Sequence, residues 1–313
     1  MFLTYNITES DNEKTVLHIL LSRMKLSRKL IISLKKLDNG ILLNESRVFT
    51  NAIVHSGDVL SANISSSKNS VNIEPQNLPL NILFEDEYLL IINKTSNQVI
   101  HPTYNHPNNT LANAVAFYYT QKDIHTKIRP VSRLDRDTSG IVVFAKNSFA
   151  QEKLSAKNSE LRFSKYYLAL VHNTFQPLNG TIDMPIERVP GSTIERQVSF
   201  ENTSDSARAI THYETIEKYV FQNCEYSLVL FKLETGRTHQ IRVHCKYSGH
   251  PIVGDTLYFV KNDHDSLEMA RQALHSHKLI FTHPITLKTI EIISELPSDM
   301  KNALQLLSTS TQQ

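Results

Sequence analysis

The sequence is poor in the residue types on which several large classes of protein depend. It contains 2 cysteines, 8 glycines and no tryptophan among its 313 residues. Two cysteines cannot build a disulfide framework, and so few predict a reducing, cytoplasmic environment. Glycine-rich phosphate-binding loops of the two common spacings are also missing, which disfavours an enzyme driven by a bound nucleotide.

Long hydrophobic runs are missing as well. The longest apolar runs, such as 88–92 and 141–145, are far too short to span a bilayer. The first residues, 1–13, are polar and lack the basic segment and apolar core that are typical of a secretory signal. We therefore expect no membrane partner.

Positive charge is concentrated near the amino terminus, although the total charge is close to neutral. A chain of 313 residues and 35.7 kDa predicts about two domains, and its net charge is +2. Residues 14–47 nevertheless contain 8 basic and 2 acidic residues. Such a cluster is typical of a nucleic-acid-binding surface, although a solvated helix face would produce the same pattern.

Apolar residues recur twice at helical spacing within this basic stretch. The two sets are Val16, Leu17, Leu20 and Leu21, then Leu30, Ile31, Leu34 and Leu37. Ser27 stands at the expected N-cap of the second helix, and Gly40 is expected to end it in the left-handed conformation. Short apolar strands are predicted at 41–43 and 59–64. The pattern predicts a compact basic module.

The stretch 14–64 resembles the S-four-type RNA-binding module, which precedes many RNA-modifying enzymes. The resemblance implies that basic side chains on or beside the two helices contact phosphates, which position RNA without reading its sequence. The candidates are Arg28, Lys35 and Lys36. Serine, asparagine and proline over 65–78 predict a linker. We therefore expect a module over 1–64 and a second domain over 79–313.

Predicted strands outnumber predicted helices in the second domain and do not alternate with them regularly. The strands are expected at 89–92, 141–145, 166–171, 210–217, 226–233, 279–281 and 289–293. The helices are expected at 111–120, 148–157, 239–247 and 299–307. This order favours an α+β fold with a mixed, mostly antiparallel sheet over a doubly wound parallel sheet.

Two polar segments could carry chemistry. Residues 130–140 place two carboxylates, two guanidiniums and three hydroxyls in front of the strand 141–145, and such loops are common functional sites. Residues 234–244 follow the strand 226–233, and Thr238 is expected to cap a helix whose start favours anions. A solvated turn with local Arg–Asp pairs and a capped helix with surface arginines are the purely structural alternatives.

Metal chemistry has little support in the sequence. The run Asp135-x-Asp137-x-Ser139 superficially matches the aspartate nucleophile motif of metal-dependent phosphatases. In that family the first aspartate ends a buried strand, whereas Pro130 and two arginines precede Asp135 here. The 14 histidines include no His-Glu-x-x-His motif and no other set at metal-ligand spacing. We therefore expect no metal.

Three segments together resemble the RluA-type family of RNA pseudouridine synthases. They read RLDRDTSGIVVFAKN over 133–147, ETGRTHQIRVH over 234–244 and GHPIVGDTLY over 249–258, and further matches run along 79–297. The resemblance implies an isomerase that converts uridine in RNA to pseudouridine without any cofactor. The subgroup with a leading S-four-type module mostly acts on large-subunit ribosomal RNA, which is therefore the expected partner, with transfer RNA as the alternative.

The resemblance also implies the roles of particular residues. Asp135 is the expected catalytic aspartate, either as nucleophile or as base, with Arg242 as the guanidinium that keeps it ionised and Arg237 as the second choice. Tyr167 is expected beside the target base, and Arg133 in the space that an extruded base vacates. The remaining expected RNA contacts are Arg136, Arg237, His239 and Gln240.

A catalytically silent RNA-binding or ribosome assembly factor is the alternative in a different functional class. The intact Asp135 argues against it. Our main hypothesis is a monomeric, cytoplasmic RNA pseudouridine synthase.

Overall fold

The computed structural model describes residues 1–65, 73–155, 163–201, 203–259 and 267–310. Half of the predicted linker, residues 66–72, and the last two residues of the helix predicted over 148–157 lie outside these ranges. Within the described ranges, no helix is both long enough and apolar enough to cross a membrane.

The amino-terminal module combines two short helices with a four-stranded sheet. The helices are α1 (Val16–Ser22) and α2 (Arg28–Leu34). The strands are β1 (Phe2–Asn6), β2 (Ile41–Leu43), β3 (Ser46–Arg47) and β4 (Val59–Asn63), in the order β1-β4-β2-β3. Apolar residues of both helices and of the sheet form one core, as the helical spacing predicts. The S-four-type assignment of this module stays a prediction.

The two ends of α2 differ in how well the sequence predicts them. Ser27 caps the helix as expected, because its side-chain oxygen accepts a hydrogen bond from the Leu30 backbone N–H. The expectation for Gly40 is wrong, since α2 already ends at Leu34 and Gly40 is not in the left-handed region. Glycine is needed there because a Cβ would collide with the Leu34 carbonyl oxygen.

The second domain is built on a nine-stranded sheet with the order β5-β6-β7-β14-β8-β13-β12-β9, and β15 pairs with β14. Its strands are β5 (Ile82–Glu85), β6 (Leu89–Lys94), β7 (Ser139–Ala145), β8 (Phe163–His172), β9 (Asn179–Asp183), β12 (Ile210–Phe221), β13 (Cys224–Leu233), β14 (Leu274–Thr282) and β15 (Thr289–Ile293). A separate hairpin consists of β10 (Ile186–Arg188) and β11 (Arg196–Val198). Among the described strands, β7 and β14 form the one parallel pair, so the predicted mixed, mostly antiparallel α+β fold is confirmed.

Within the described part of the second domain, four helices flank this sheet. They are α3 (Leu111–Gln121), α4 (Ser148–Ser155), α5 (Gln240–Tyr247) and α6 (Ser298–Ser310). Every residue of β7 is buried, because its alternate side chains face α3 on one side and α4 on the other. The loop that precedes β7 therefore starts from the rigid centre of the domain.

The hairpin β12–β13 extends beyond the predicted strands. The strand predicted over 210–217 continues to Phe221, where a two-residue turn leads into β13. Gln222 and Asn223 occupy this turn with φ values of 48° and 65°. Positive φ at both positions is typical of a hairpin turn, but the usual Asn-Gly signal is absent from this turn.

Helix α4 joins the amino-terminal module to the second domain. Phe149 packs into the core of the module, although it lies on a helix of the second domain. The Ser27 hydroxyl donates to the Glu152 carboxylate at 2.6 Å, and the Lys153 ammonium donates to the Lys25 carbonyl at 2.7 Å. The two units therefore share apolar packing as well as polar contacts.

Candidate active site

The segment in front of β7 is held by the strand that it precedes. Val131 donates its N–H to the Val143 carbonyl at 2.8 Å, and the chain then turns back toward the start of β7. Within this turn the Asp135 carbonyl accepts from the Thr138 N–H at 3.2 Å. The Asp135 side chain therefore stands on a fixed turn at the amino-terminal end of a buried strand.

Gly140 allows β7 to approach β14 at this end. It has a φ of 109°, and a Cβ there would collide with the backbone of Ser276. Ser276 in turn pairs with Tyr167 on β8, the next strand of the sheet. The three strands thus bring Asp135 and Tyr167 to one region, although the two residues are distant in sequence.

The start of α5 differs from the sequence-based expectation. Thr238 is not the N-cap; His239 is, with a left-handed backbone at φ 58° and ψ 19° and no side-chain cap of its own. The Gln240 side-chain oxygen accepts from the Arg237 N–H and from the Thr235 hydroxyl, each at 2.9 Å. Gln240, the first residue of the helix, therefore reaches back and holds the chain that leads into α5, rather than capping the free N–H groups of its first turn.

Arg242 lies between two carboxylates. It donates from Nη1 to Asp135 Oδ2 at 3.1 Å, and from Nε and Nη2 to both oxygens of Asp255 at 2.7 and 2.8 Å. Burial disfavours its charge, but the hydrogen bonds and charges of Asp255 and Asp135 outweigh that effect and raise the pKa of Arg242. Arg242 is therefore a fixed cation whose third nitrogen, Nη1, is directed at Asp135.

Asp255 was not among the residues that the sequence analysis singled out. Its side chain is 1% exposed, so Arg242 supplies the charge that such a buried carboxylate needs. The sequence could have indicated Asp255, because it is the one acidic residue of the motif segment 249–258. What the sequence could not provide was the partner, which lies 13 residues away on α5.

His239 is held by a short chain of hydrogen bonds. The Tyr258 hydroxyl oxygen accepts from the Arg196 N–H at 3.0 Å and lies 2.7 Å from His239 Nδ1. We assign the Tyr258 hydroxyl as the donor and His239 Nδ1 as the acceptor of this second contact. The imidazole proton is then on Nε2, and the Nε2 atom lies 3.8 Å from Asp135 Oδ2. Burial lowers the pKa of His239, so the ring is mostly neutral at pH 7 and presents an N–H toward Asp135.

The two neighbouring tyrosines of β8 point to opposite faces, as strand alternation predicts. Tyr167 is buried and lines the cleft beside Asp135. Burial raises the pKa of Tyr167, so its hydroxyl is a neutral phenol at physiological pH. Tyr166 instead lies between the ammonium groups of Lys232 and Lys278, at 5.8 and 5.0 Å from its ring centre.

Two buried basic side chains hold the backbone on the carboxyl-terminal side of Asp135. The Lys94 ammonium donates to the Arg136 carbonyl at 2.8 Å and also to two carbonyls of its own loop. Burial lowers the pKa of Lys94 to about 7. Arg271 donates to the Asp137 carbonyl at 3.1 Å. Neither residue can be predicted as part of the site from the sequence, because nothing local in the chain connects it with Asp135.

The cleft gathers seven of the predicted site residues. These are Arg133, Asp135, Tyr167, Arg237, His239, Gln240 and Arg242, with leucines at its base. Arg136 does not line the cleft, because its guanidinium turns to Asp137 at 2.9 Å. The predicted contacts Arg28, Lys35 and Lys36 belong to the amino-terminal module and do not line the cleft either. The roles of all these residues stay predictions.

The described residues contain no group of three or more His, Cys, Asp and Glu side chains that could hold a metal ion. The buried Ser139 hydroxyl lies 2.9 Å from His275 Nδ1, and burial lowers the pKa of His275 to about 4. Burial also raises the pKa of the Cys245 thiol. Ser139, His275 and Cys245 are all buried, and none of them lines the cleft that contains Asp135.

Sequence comparison gives a consistent result. The pattern of the family described as RNA pseudouridylate synthase matches residues 88–247. A protein of Bacillus subtilis named "Uncharacterized RNA pseudouridine synthase YjbO" is 37% identical over 281 residues, which cover 90% of this chain and 95% of that protein. The "Ribosomal large subunit pseudouridine synthase D" of Zymomonas mobilis is 39% identical over 247 residues, 76% of this chain and 75% of that protein.

Comparison with solved structures supports the fold. The human RNA pseudouridylate synthase domain containing 1 has a TM-score of 0.56 at 23% identity, over 74% of this chain and 96% of that chain. The human RNA pseudouridylate synthase domain containing 4 has a TM-score of 0.57 at 20% identity, over 73% of this chain and 93% of that chain. Similarity at this level of identity shows a shared architecture.

Proposed function

The chain belongs to the RNA pseudouridylate synthase family, and we propose that it isomerises specific uridines of large-subunit ribosomal RNA through Asp135. It is an RNA pseudouridine synthase by family membership. The observation that carries the proposal for Asp135 is its contact with Arg242 in a cleft that also contains Tyr167. The relatives named ribosomal large subunit pseudouridine synthase D support ribosomal RNA as the substrate.

The reaction requires a carboxylate beside the ribose. The bond from ribose C1′ to base N1 breaks, the base turns, and C1′ joins C5, which loses a proton while N1 gains one. Asp135 acts on the ribose as nucleophile or base, and both roles need the ionised form. In the described contacts Arg242 and His239 both approach Oδ2, so Oδ1 is the oxygen that we assign to the substrate.

The target base must leave its stack before the ribose can reach Asp135. In our proposal Tyr167 contacts the extruded base as a neutral phenol, because its buried hydroxyl holds its proton at physiological pH. Arg133 lines the same cleft and fills the vacated space in the RNA. The His239 Nε2–H is a donor of fixed direction for an oxygen of the substrate.

The amino-terminal module supplies contacts that do not depend on the target uridine. In our proposal the exposed Lys35 and Lys36, together with Arg28, bind phosphates of the RNA. Neutralising both lysines should weaken binding and flatten its salt dependence, because fewer counterions are released on binding.

The test is to map pseudouridines in total RNA from cells with and without this gene, and then to re-express the wild type and Asp135→Ala. We expect one or more large-subunit ribosomal RNA sites to disappear and to return only with the wild type. Loss at a transfer RNA site would keep the chemistry and overturn the proposed substrate. Full rescue by Asp135→Ala would overturn the catalytic assignment, and no change at any site would favour a silent RNA-binding protein.

A further inference from the structure

A shallow groove crosses the amino-terminal module, away from the cleft that contains Asp135. Its floor is apolar and includes Leu34, Leu37 and Ile41, which lie at the end of α2 and the start of β2. Its rim carries Lys35 and Arg47, and on the same rim lies the ring of Phe49. An apolar floor with a cationic rim is typical of a site for a ligand that has both a flat apolar face and negative charge.

Phe49 is exposed on a backbone that is held on both sides. Its side chain is 76% exposed. Its own carbonyl accepts from the Ala52 N–H at 3.1 Å, and its neighbours Val48 and Thr50 make backbone hydrogen bonds of 3.2 and 2.8 Å to β2 and α1. The ring is therefore presented to solvent by ordered structure. Large exposed apolar groups beside a groove often mark a binding surface.

The charges around the ring favour an anionic partner. From Arg28 to Arg47 the chain has 5 basic and 2 acidic residues, a local excess of 5 − 2 = 3 positive charges. Lys35 and Lys36 are both exposed. Arg47 contacts the Asp38 carboxylate at 2.7 Å, but its side chain remains 51% exposed. Cations that line the same groove as an aromatic ring match one unpaired nucleotide, whose base stacks while its phosphates lie at the rim.

We propose that Phe49 stacks on an unpaired base of the RNA substrate, and that Lys35 and Arg47 hold the phosphates next to that base. This inference rests on the proposed RNA-binding role of the module. It adds a contact of a different kind, because stacking on a ring does not depend on charge. The site tolerates any base, since every base offers an aromatic face.

The experiment measures binding of the full-length protein to a fluorescent single-stranded oligouridine at several salt concentrations. We expect Phe49→Ala to weaken binding by about 5- to 150-fold, the range for loss of one stacked base. The slope of affinity against salt should not change, because no charge is lost. Phe49→Trp should bind as well as the wild type. Ile32→Ala, an exposed apolar residue of α2 that does not line the groove, should have no effect.

An oligonucleotide with abasic positions separates stacking from phosphate binding, because its backbone charge is the same. Phe49→Ala should bind this probe as well as the wild type does. A Lys35→Ala/Lys36→Ala variant tests the module itself, and its salt slope should fall by about 0.7 for each lost phosphate contact.

If the double lysine variant binds like the wild type, the proposed RNA-binding role of the module is wrong. If it binds more weakly while Phe49→Ala binds oligouridine like the wild type, the stacking site alone is wrong, and Phe49 serves a protein partner or none. A loss with Phe49→Ala that is equally large on the abasic probe would also overturn stacking.

Discussion

Asp135 depends on a carboxylate that never contacts it. Asp255 takes two of the donors of Arg242, and this bidentate pair fixes the plane of the guanidinium. One further donor then meets Asp135 at 3.1 Å. The buried pair therefore sets the orientation of the guanidinium that contacts Asp135, which makes Asp255 a positioning residue.

Asp255→Asn should lower both stability and turnover. Breaking a buried ion pair from one side costs about 3–5 kcal/mol of unfolding free energy, because the remaining charge stays buried. A displaced Arg242 should lower kcat about 100-fold with little change in RNA affinity. Glu85→Gln is the matched control: it breaks the pair with the buried Lys146 at 2.6 Å, far from the cleft. Equal kcat values for Asp255→Asn and Glu85→Gln would contradict a positioning role for Asp255.

Tyr258→Phe should change how His239 titrates. The substitution keeps the ring but removes the hydroxyl that we assign as donor to Nδ1. The neutral imidazole then loses a hydrogen bond that stabilised it, so the pKa of His239 should rise. As the pH is lowered, activity that needs the neutral ring should therefore be lost at a higher pH than in the wild type. We expect kcat at pH 7 to fall about tenfold, the equivalent of one hydrogen bond.

The measurement for Tyr258→Phe is the pH profile of kcat between pH 5.5 and 8.5. Tyr119→Phe is the control, because the buried Tyr119 hydroxyl has no hydrogen-bond partner within the described part of the chain. An acidic limb at the same pH in wild type and Tyr258→Phe would contradict the assigned proton position.

At the scale of elements, the site depends on where strands come close rather than on any one loop. The parallel contact of β7 with β14 extends over two residue pairs, Ser139 with His275 and Gly140 with Ser276. It lies directly after the Asp135 turn and next to the strand that carries Tyr167. A change in the spacing of these strands should therefore displace both Asp135 and Tyr167.

Gly140→Ala should separate these strands. A Cβ at this position meets the Ser276 backbone, and the positive φ adds strain of its own. We expect a loss of about 2–5 kcal/mol of unfolding free energy together with a large loss of kcat. Gly191→Ala isolates the strain, because Gly191 has a φ of 78° with nothing within 4 Å of its Cβ position.

Gly191→Ala should cost about 1–2 kcal/mol and leave kcat unchanged. Chemical denaturation and single-turnover kinetics on both variants provide the comparison. Similar losses in the two variants would show that the backbone conformation of Gly140 matters and that the strand spacing does not.

At the scale of the whole molecule, α4 couples the amino-terminal module to the catalytic sheet. One face of this helix packs on β7 through Ala150 and Leu154, and Phe149 enters the core of the module. Tyr88, Ile285 and Asn147 add further contacts between the two units. The module is therefore packed directly against the sheet that positions Asp135.

Phe149→Ala should uncouple the two units. Removing a buried phenylalanine costs about 3–5 kcal/mol, and here the loss falls on the module. We expect calorimetry to show a separate, earlier transition for the module. Leu154→Ala on the same helix should lower the stability of the sheet without splitting the transition, because Leu154 belongs to the other core. A single transition in both variants would argue against the coupling.

Much of the fold could be predicted from the sequence, because helices and strands are indicated by residues that are close together in the chain. The helices α3 and α5 and the strands β2 and β15 were predicted at or within one residue of their observed bounds, since apolar periodicity and turn residues lie within a few positions of one another. The strands β1, β9, β10 and β11 were not predicted, because short strands with exposed positions carry little periodic signal. Motif resemblance located Asp135, Tyr167 and Arg242.

The sequence by itself determined most of the helices and strands, many apolar residues of the core and the motifs that are predicted to carry the chemistry, because these depend on patterns of neighbouring residues. The tertiary structure decided which of these side chains contact one another. Asp135 and Arg242 are 107 positions apart, and Asp137 and Arg271 are 134 apart. The cap of α5 and the reason for Gly40 also depend on contacts rather than on local preference. Contacts across such distances exist only after the sheet has brought the strands together, so no local pattern in the chain records them.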